Sequence, residues 1–426
     1  MIETIKNAWK IPDLRRKLLF VVFALVIFRF GYAIYVPYVD TKALADVFKQ
    51  YSDTLLGYFN TLSGGGFSQA SIFALSVYPY INSSIIMQLL QVAIPALERM
   101  VKDGGEEGRK KLASITRYVT IALSLLMGWT YYIMLRTSGV LTRTDLWSAI
   151  VIILTFTAGS SFIMWLGEQI NSKGVGNGIS LILFASIVSR GPSAVMRIIN
   201  GLKSGSMNVI SVIVILVVAV AMIAFIVFIT NAERRIPIQY AKRMVGRKMY
   251  GGQSTHLPMK VNMSGVMPVI FASSIVTFPG TIIQFLNPEE GSFWSNFGKA
   301  FSQGSLAYII VYALLIVGFA YFYATIQFNP IEVSNNLKRN GGFIPGFRPG
   351  KPTTDFIAKV LNKITLMGAL FLGIVAILPL IMSNIKGLGG LAIGGTSVLI
   401  LVGVALETVK QVEAQMLMRH YKGFLE

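Results

Sequence analysis

The sequence predicts an all-α integral membrane protein with ten transmembrane helices. Three observations carry that prediction. Of 426 residues, 54% are hydrophobic and 13% charged, against about 25% charged in an ordinary soluble domain. Mean hydropathy is +0.63. Apolar windows of about 20 residues, long enough to cross a bilayer core, recur ten times along the chain.

The windows lie near 18–36, 70–95, 114–136, 147–167, 177–199, 208–231, 262–286, 305–328, 364–384 and 393–411. The first follows Lys6, Lys10, Arg15, Arg16 and Lys17 and runs to about Val36, long enough to span, so it is read as a helix that stays and not as a cleaved signal peptide. Before the second lies a short apolar piece, Leu55 to Leu62, cut off by Gly64, Gly65 and Gly66. It is too short to cross a bilayer and too apolar for an ordinary external loop. The fifth is interrupted at its far end by Arg190, Gly191, Pro192 and Arg197. An even count of spans puts both termini on one side.

Charge placement orients the spans. The net charge is +19, and 27 of the 38 lysines and arginines fall in the tails and alternate loops on one side. Positive charge is retained in the cytoplasm, so both termini are expected inside. Two of the basic loops, 232–261 and 329–363, are long for connectors, and long loops on a compact scaffold usually carry a function such as docking. Ribosomal RNA is one partner that such basic loops would suit. Three arginines (Arg29, Arg117 and Arg190) fall inside spans, where charge is costly and faces protein or water. For Arg29 and Arg117, snorkelling or an ion pair between helices is the expected explanation.

Enzyme signatures are missing. There is no cysteine, and the only histidines are His256 and His420, so thiol chemistry and paired-histidine zinc motifs are excluded. The stretch "GFIPGFRPGKPTT" has Pro345 and Pro352 where a phosphate-binding loop needs glycine and a hydroxyl residue. "GVGNG" at 174–178 follows a membrane helix and not a strand, so its glycines are read as ending one helix and restarting the next. No catalytic residue, cofactor or metal is expected.

Ile81 and Ile85 lie four apart on one face of the second span, among Asn82, Ser83, Ser84 and Gln88. Spacing alone allows either helix packing or the lining of a cavity.

Four long stretches carry a resemblance: "MWLGEQINSKGVGNGISLILFASIV" (164–188), "GGQSTHLPMKVNMSGVMPVIFASSI" (251–275), "FNPIEVSNNLKRNGGFIPGFRPGKPT" (328–353) and "GGTSVLILVGVALE" (394–407). With all ten spans in order, the chain resembles the SecY family, the pore subunits of the bacterial protein-conducting channel. The resemblance implies two inverted, pseudo-symmetric five-helix halves, 1–200 and 201–426, around an hourglass pore. Inverted repeats of this kind are a known membrane architecture. It identifies the short piece as a re-entrant plug helix, about 55–67, with Leu55, Leu56, Tyr58, Phe59, Leu62 and Phe67 as its apolar body. Gly64, Gly65 and Gly66 would then supply a hinge.

The same likeness makes Ile81, Ile85, Leu183, Ile187, Ile270 and Ile400 the pore ring, with Leu183 at a position that is often isoleucine. Branched aliphatics there would admit any side chain and resist ions, since a narrow apolar constriction dewets. Gln88, Met127 and Asn262 fall on the lateral gate, Met127 standing where relatives often carry glutamine. Lys242, Arg243, Arg247, Lys248 and Arg348 match positions that dock the SecA motor or the ribosome. The expected function is passage of unfolded secretory polypeptides across the bacterial cytoplasmic membrane and sideways release of transmembrane helices into lipid. The implied partners are SecE and SecG, with SecA, ribosomes, preproteins and their signal sequences as clients. Two other classes share features with this pattern. A solute transporter would place charged or polar groups at the membrane midplane, and an intramembrane protease would need a nucleophile motif.

Overall fold

A computed structural model describes residues 2–50, 60, 63–205, 208–240, 243–245, 248–250, 254–286, 292–301, 305–383 and 395–422. Contacts divide the chain into two compact units, Met1–Ser206 with Gly280–Gly298 and Val404–Glu426, and Met207–Pro279 with Lys299–Gly403.

The first unit opens with α1 (Ile2–Lys10) and α2 (Pro12–Gly31), the latter started by Pro12 at its first position. Ala8 and Leu14 pack with Val175 and Val412, and Lys17 Nζ donates to Gln415 Oε1 at 3.3 Å, so the two terminal helices meet. After α3 (Thr41–Gln50) and a buried run of turns come α4 (Tyr78–Ala93) and α5 (Pro95–Asp103). These two are bent by 96° at Ile94, which is extended (φ −109°, ψ 108°), as the residue before a proline prefers. The hairpin of α6 (Gly105–Thr137) and α7 (Leu146–Lys173), then α8 (Gly178–Val188) and α9 (Gly191–Lys203), follow.

The second expected span is shorter than its apolar stretch. Helix begins at Tyr78, and residues 71–77 form turns with Ala70 and Ser76 at positive φ (46° and 49°). These residues are apolar because protein covers them. Ala70, Phe73, Ala74, Leu75 and Val77 are all under 5% exposed. Val36 N donates to Ala70 O and Ile72 N to Ile34 O, tying the turns to the segment after α2. Phe73 lies between the parallel rings of Phe28 (6.2 Å) and Phe162 (5.8 Å). Gly159 of α7 closes the contact, since a Cβ there would sit 1.9 Å from the Ile72 carbonyl oxygen. Gly159→Val therefore forces α7 off the turn. It should lower stability by about 3 kcal/mol or more, seen as a fall in the tryptophan-fluorescence melting temperature of the detergent-solubilised protein.

The second unit contains α10 (Val209–Asn231), α13 (Leu306–Gln327), α14 (Pro330–Arg339), α15 (Lys351–Ser383) and most of α11 (Met267–Leu286). The short α12 (Phe293–Ala300) and long α16 (Gly395–Lys422) cross the division between units. The two long basic loops fold together, which no hydropathy window anticipates. Strands β1 (Glu233–Tyr240), β4 (Ser254–Lys260) and β5 (Gly342–Phe343) form one antiparallel sheet in the order β4-β1-β5. β2 (Arg243–Val245) and β3 (Lys248–Tyr250) form a separate hairpin. Ile236 and Ile238 alternate inward from β1 and meet Met259, Leu337, Ile344, Ile357 and Leu361. Pro237 is tolerated in β1 because β5 pairs only at Gln239 and Tyr240, which leaves the strand with an edge beside the proline.

Among the described residues six stretches are long and apolar enough to cross a membrane: Gly105–Thr137, Leu146–Lys173, Gly178–Lys203, Val209–Asn231, Leu306–Arg339 and Lys351–Ile381. The bent pair α4–α5 makes a seventh. Helices also occupy the other three windows of the expected ten, but each falls short of that measure. Helix α2 carries Asp13, Arg15, Arg16, Lys17 and Arg29; the apolar run Met267–Val276 is short; and α16 gains Glu407, Lys410 and Glu413.

Candidate functional site

The segment between α3 and α4 is built around its glycines. Gly64 and Gly65 have φ of 67° and 92°, values that favour glycine. A Cβ on Gly64 would lie 3.1 Å from both the Ser186 carbonyl oxygen and Ser189 Oγ of the α8 end, and one on Gly66 would lie 2.3 Å from the Tyr32 ring. Only Gly65 faces open space. Gly64 and Gly66 are thus closely fitted against their neighbours, and the stretch forms a seat. Asn60 anchors it: its carbonyl accepts from Gly65 N at 2.8 Å and its Oδ1 from Ser68 N at 3.0 Å. The Phe67 ring stacks on Tyr131 at 4.1 Å and meets Phe48 edge-on at 5.6 Å, while the Tyr131 hydroxyl donates to the Phe67 carbonyl. Leu55, Leu56, Tyr58, Phe59 and Leu62 lie outside the described residues.

Of the expected ring positions in the first unit, Ile85 and Leu183 are buried, with Ile81 and Ile187 half-buried. The polar residues beside Ile81 and Ile85 have local employment. The Ser83 hydroxyl donates to the Thr116 carbonyl of α6 at 2.7 Å, and Gln88 Nε2 donates to Ser84 Oγ at 3.3 Å. Leu183 and Ile187 are positioned by the restart that "GVGNG" predicts. Asn177 Oδ1 caps Ile179 N and Ser180 N, and Gly178 N donates to Asn171 Oδ1. In the second unit Ile270 is half-buried on α11 and Ile400 is buried on α16.

Asn262 is buried just before α11, its backbone packed near Gly368 of α15, and its Oδ1 has no hydrogen-bond partner among the described residues. Met127 packs half-buried against the cluster containing Tyr131, Leu135 and Phe156, so its thioether adds apolar contact where a glutamine would need hydrogen bonds. Of the three arginines expected inside spans, Arg117 and Arg29 meet named partners. Arg117 Nε lies 2.8 Å from Glu168 Oε1, joining α6 to α7, and Arg29 sits 5.6 Å from the Tyr32 ring centroid and donates to Ser189 Oγ at 3.4 Å.

Arg348 tops a braced loop. Gly346 and Gly350 turn the chain at φ of 86° and 109°. Phe347 N donates to the Ile344 carbonyl (3.0 Å), Thr353 Oγ1 to the Arg348 carbonyl (2.8 Å) and Ser334 Oγ to the Gly350 carbonyl (3.1 Å). The Phe347 ring lies 4.2 Å from that of Phe356. The Arg348 side chain itself is exposed. Arg243 and Lys248 belong to the β2–β3 hairpin, whose register pairs Arg243 with Tyr250 and Val245 with Lys248. Lys242 and Arg247 lie outside the described residues. The alternation of "ERRIPIQY" at 233–240 was the one signal that could have disclosed the sheet holding these loops together.

Comparison with known proteins places this arrangement. The family model for SecY matches residues 71–409. The protein translocase subunit SecY of Streptomyces coelicolor is 43% identical over the full length of both chains. That of Thermotoga maritima is 42% identical over all of this chain and 98% of its own. Among solved structures, a protein-conducting channel superposes with a TM-score of 0.66 at 19% identity. A SecY structure concerned with how its plug domain stabilises the closed channel gives 0.68 at 20%. Each covers 94% of this chain and 92% of the other, so the likeness of fold extends over nearly the whole molecule. Matched over most of its length by the family model, and end to end by bacterial relatives, the chain belongs to the SecY family.

Proposed function

We propose that the chain is the pore subunit of a protein translocase: a passive conduit for unfolded polypeptides, closed at rest by the plug segment and an aliphatic ring. The observation that carries this reading is full-length similarity to bacterial protein translocase subunits at 42–44% identity. The local geometry agrees with it. The candidate ring positions are aliphatic, and the charged groups expected of a solute carrier are spent on pairing, Arg117 with Glu168. Two inverted halves, 1–200 and 201–426, open sideways at Gln88 and Asn262 to release signal sequences and membrane helices into lipid. Both termini face the cytoplasm of the bacterial inner membrane. A SecE-type subunit clamps the halves, a SecG-type subunit joins them, and SecA or the ribosome docks on the basic loops and supplies the energy. The braced Arg348 loop suits that role, since a pre-organised guanidinium loses little entropy on meeting a carboxylate or phosphate.

Proteoliposomes carrying this chain with its SecE-type partner, given SecA, ATP and a secretory precursor, should shield precursor from added protease in an ATP-dependent manner. No shielding by a folded complex with a demonstrably active motor would turn the reading towards a solute carrier.

A further inference from the structure

Behind the glycine seat lies a group of buried hydroxyls. Tyr32 is 4% exposed, and Ser71 and Ser76 are fully buried. None of their hydroxyl oxygens has a hydrogen-bond partner among the described residues. The three share one neighbourhood. A Cβ on Gly66 would lie 2.3 Å from the Tyr32 ring and 2.7 Å from Ser71 Oγ. The Tyr32 hydroxyl lies near enough to the Ser76 and Ser186 hydroxyls to interact with both, yet outside hydrogen-bonding geometry. The Ser76 backbone is held at φ 49°, a strained conformation for a residue with a Cβ. Its carbonyl accepts from Ser160 Oγ of α7, and the Ser186 hydroxyl is engaged with the Ile182 carbonyl.

Buried polar groups left unpaired are costly, and grouped ones call for a shared partner. Neutral hydroxyls give a cation no charge to offset its desolvation. The nearby cation Arg29 is exposed and directed at Ser189. A water molecule fits, because it donates twice, accepts twice and satisfies two to four neighbours at once. We propose that Tyr32, Ser71 and Ser76 hold an internal water that fastens the end of α2 to the 71–77 turns, behind the glycine seat.

X-ray radiolytic footprinting of the intact complex tests this, because bound water generates hydroxyl radicals beside the side chains that hold it. Tyr131 and Tyr312, each 2% exposed, have hydrogen-bond partners in Phe67 and Thr396 and serve as dry controls. Tyr32 should be oxidised faster than both controls, as a residue in contact with ordered water. The Ser71→Ala/Ser76→Ala pair should bring Tyr32 down to the control rate. Equal, slow oxidation of all three tyrosines in the unmodified protein overturns the proposal, and so does fast Tyr32 oxidation that persists in a folded double variant. Since no transport is measured, a dry cluster would leave the channel reading untouched.

Discussion

Replacing residues 55–59 by a Gly-Ser stretch of equal length makes the membrane leak ions while the protein keeps its fold and its capacity for export. The expectation follows from where the seat begins. Asn60 and Ser63 through Phe67 are held by Tyr32, Ser186, Ser189 and Tyr131, and every such contact survives the replacement. What is lost is the apolar body proposed for the plug, Leu55, Leu56, Tyr58 and Phe59. A larger deletion of 57–67 is a different experiment, since it also takes Phe67 from between Tyr131 and Phe48. Phe67 is half-buried, so its loss costs part of the about 3–5 kcal/mol of a fully buried phenylalanine, and the larger deletion should melt below the smaller replacement. Conductance across planar bilayers containing the purified complex reads the leak. A tight membrane after the 55–59 replacement, with the complex intact, would sink the plug assignment.

The contrast between these two variants shows what the residues alone disclose. The apolar windows that locate the spans depend on composition averaged over about 20 residues, and helices occupy all ten. The same averaging misreads 70–77. Those residues are apolar because Phe28, Phe162 and Gly159 pack on Phe73 and Ile72, and hydropathy does not distinguish burial in protein from burial in lipid. The triple glycine was visible as a break, yet its purpose was not. Whether glycine supplies freedom or close approach depends on what lies opposite, here Ser186 and Tyr32 from distant parts of the chain. Likewise the basic loops were legible as long and charged, while the sheet that joins them needs the pairing of Gln239 with Phe343 across more than 100 residues of sequence. Long-range register leaves no periodic trace. The pore and gate positions came from resemblance, because Ile81 and Ile85 have the spacing of any packed helix.

Arg348→Glu should stop motor-driven transport almost completely while leaving the protein as stable as before. The brace of the loop uses the backbone carbonyl of Arg348 and the side chains of Thr353, Ser334, Phe347 and Phe356; the guanidinium takes no part in it. The side chain is exposed and has no ion pair among the described residues, so the substitution disturbs nothing internal. A stability change within about 0.5 kcal/mol is expected for such a site. Docking is another matter, because reversing a charge loses the attraction and adds repulsion towards an acidic or phosphate surface. At a desolvated contact that pair of effects is worth about 2–5 kcal/mol, a loss of about thirtyfold or more in affinity. Arg348→Lys keeps the charge but loses the planar fork and should fall between the two. Thr353→Val is the complementary probe. It leaves the guanidinium in place and removes the 2.8 Å bond that holds the loop, so binding should weaken through lost pre-organisation, by less than the charge reversal. Titrating SecA against nanodisc-held complex, alongside protease-protection of a precursor, orders the variants. Transport by the glutamate variant at the unmodified rate would remove Arg348 from the docking surface, whatever partner the channel uses.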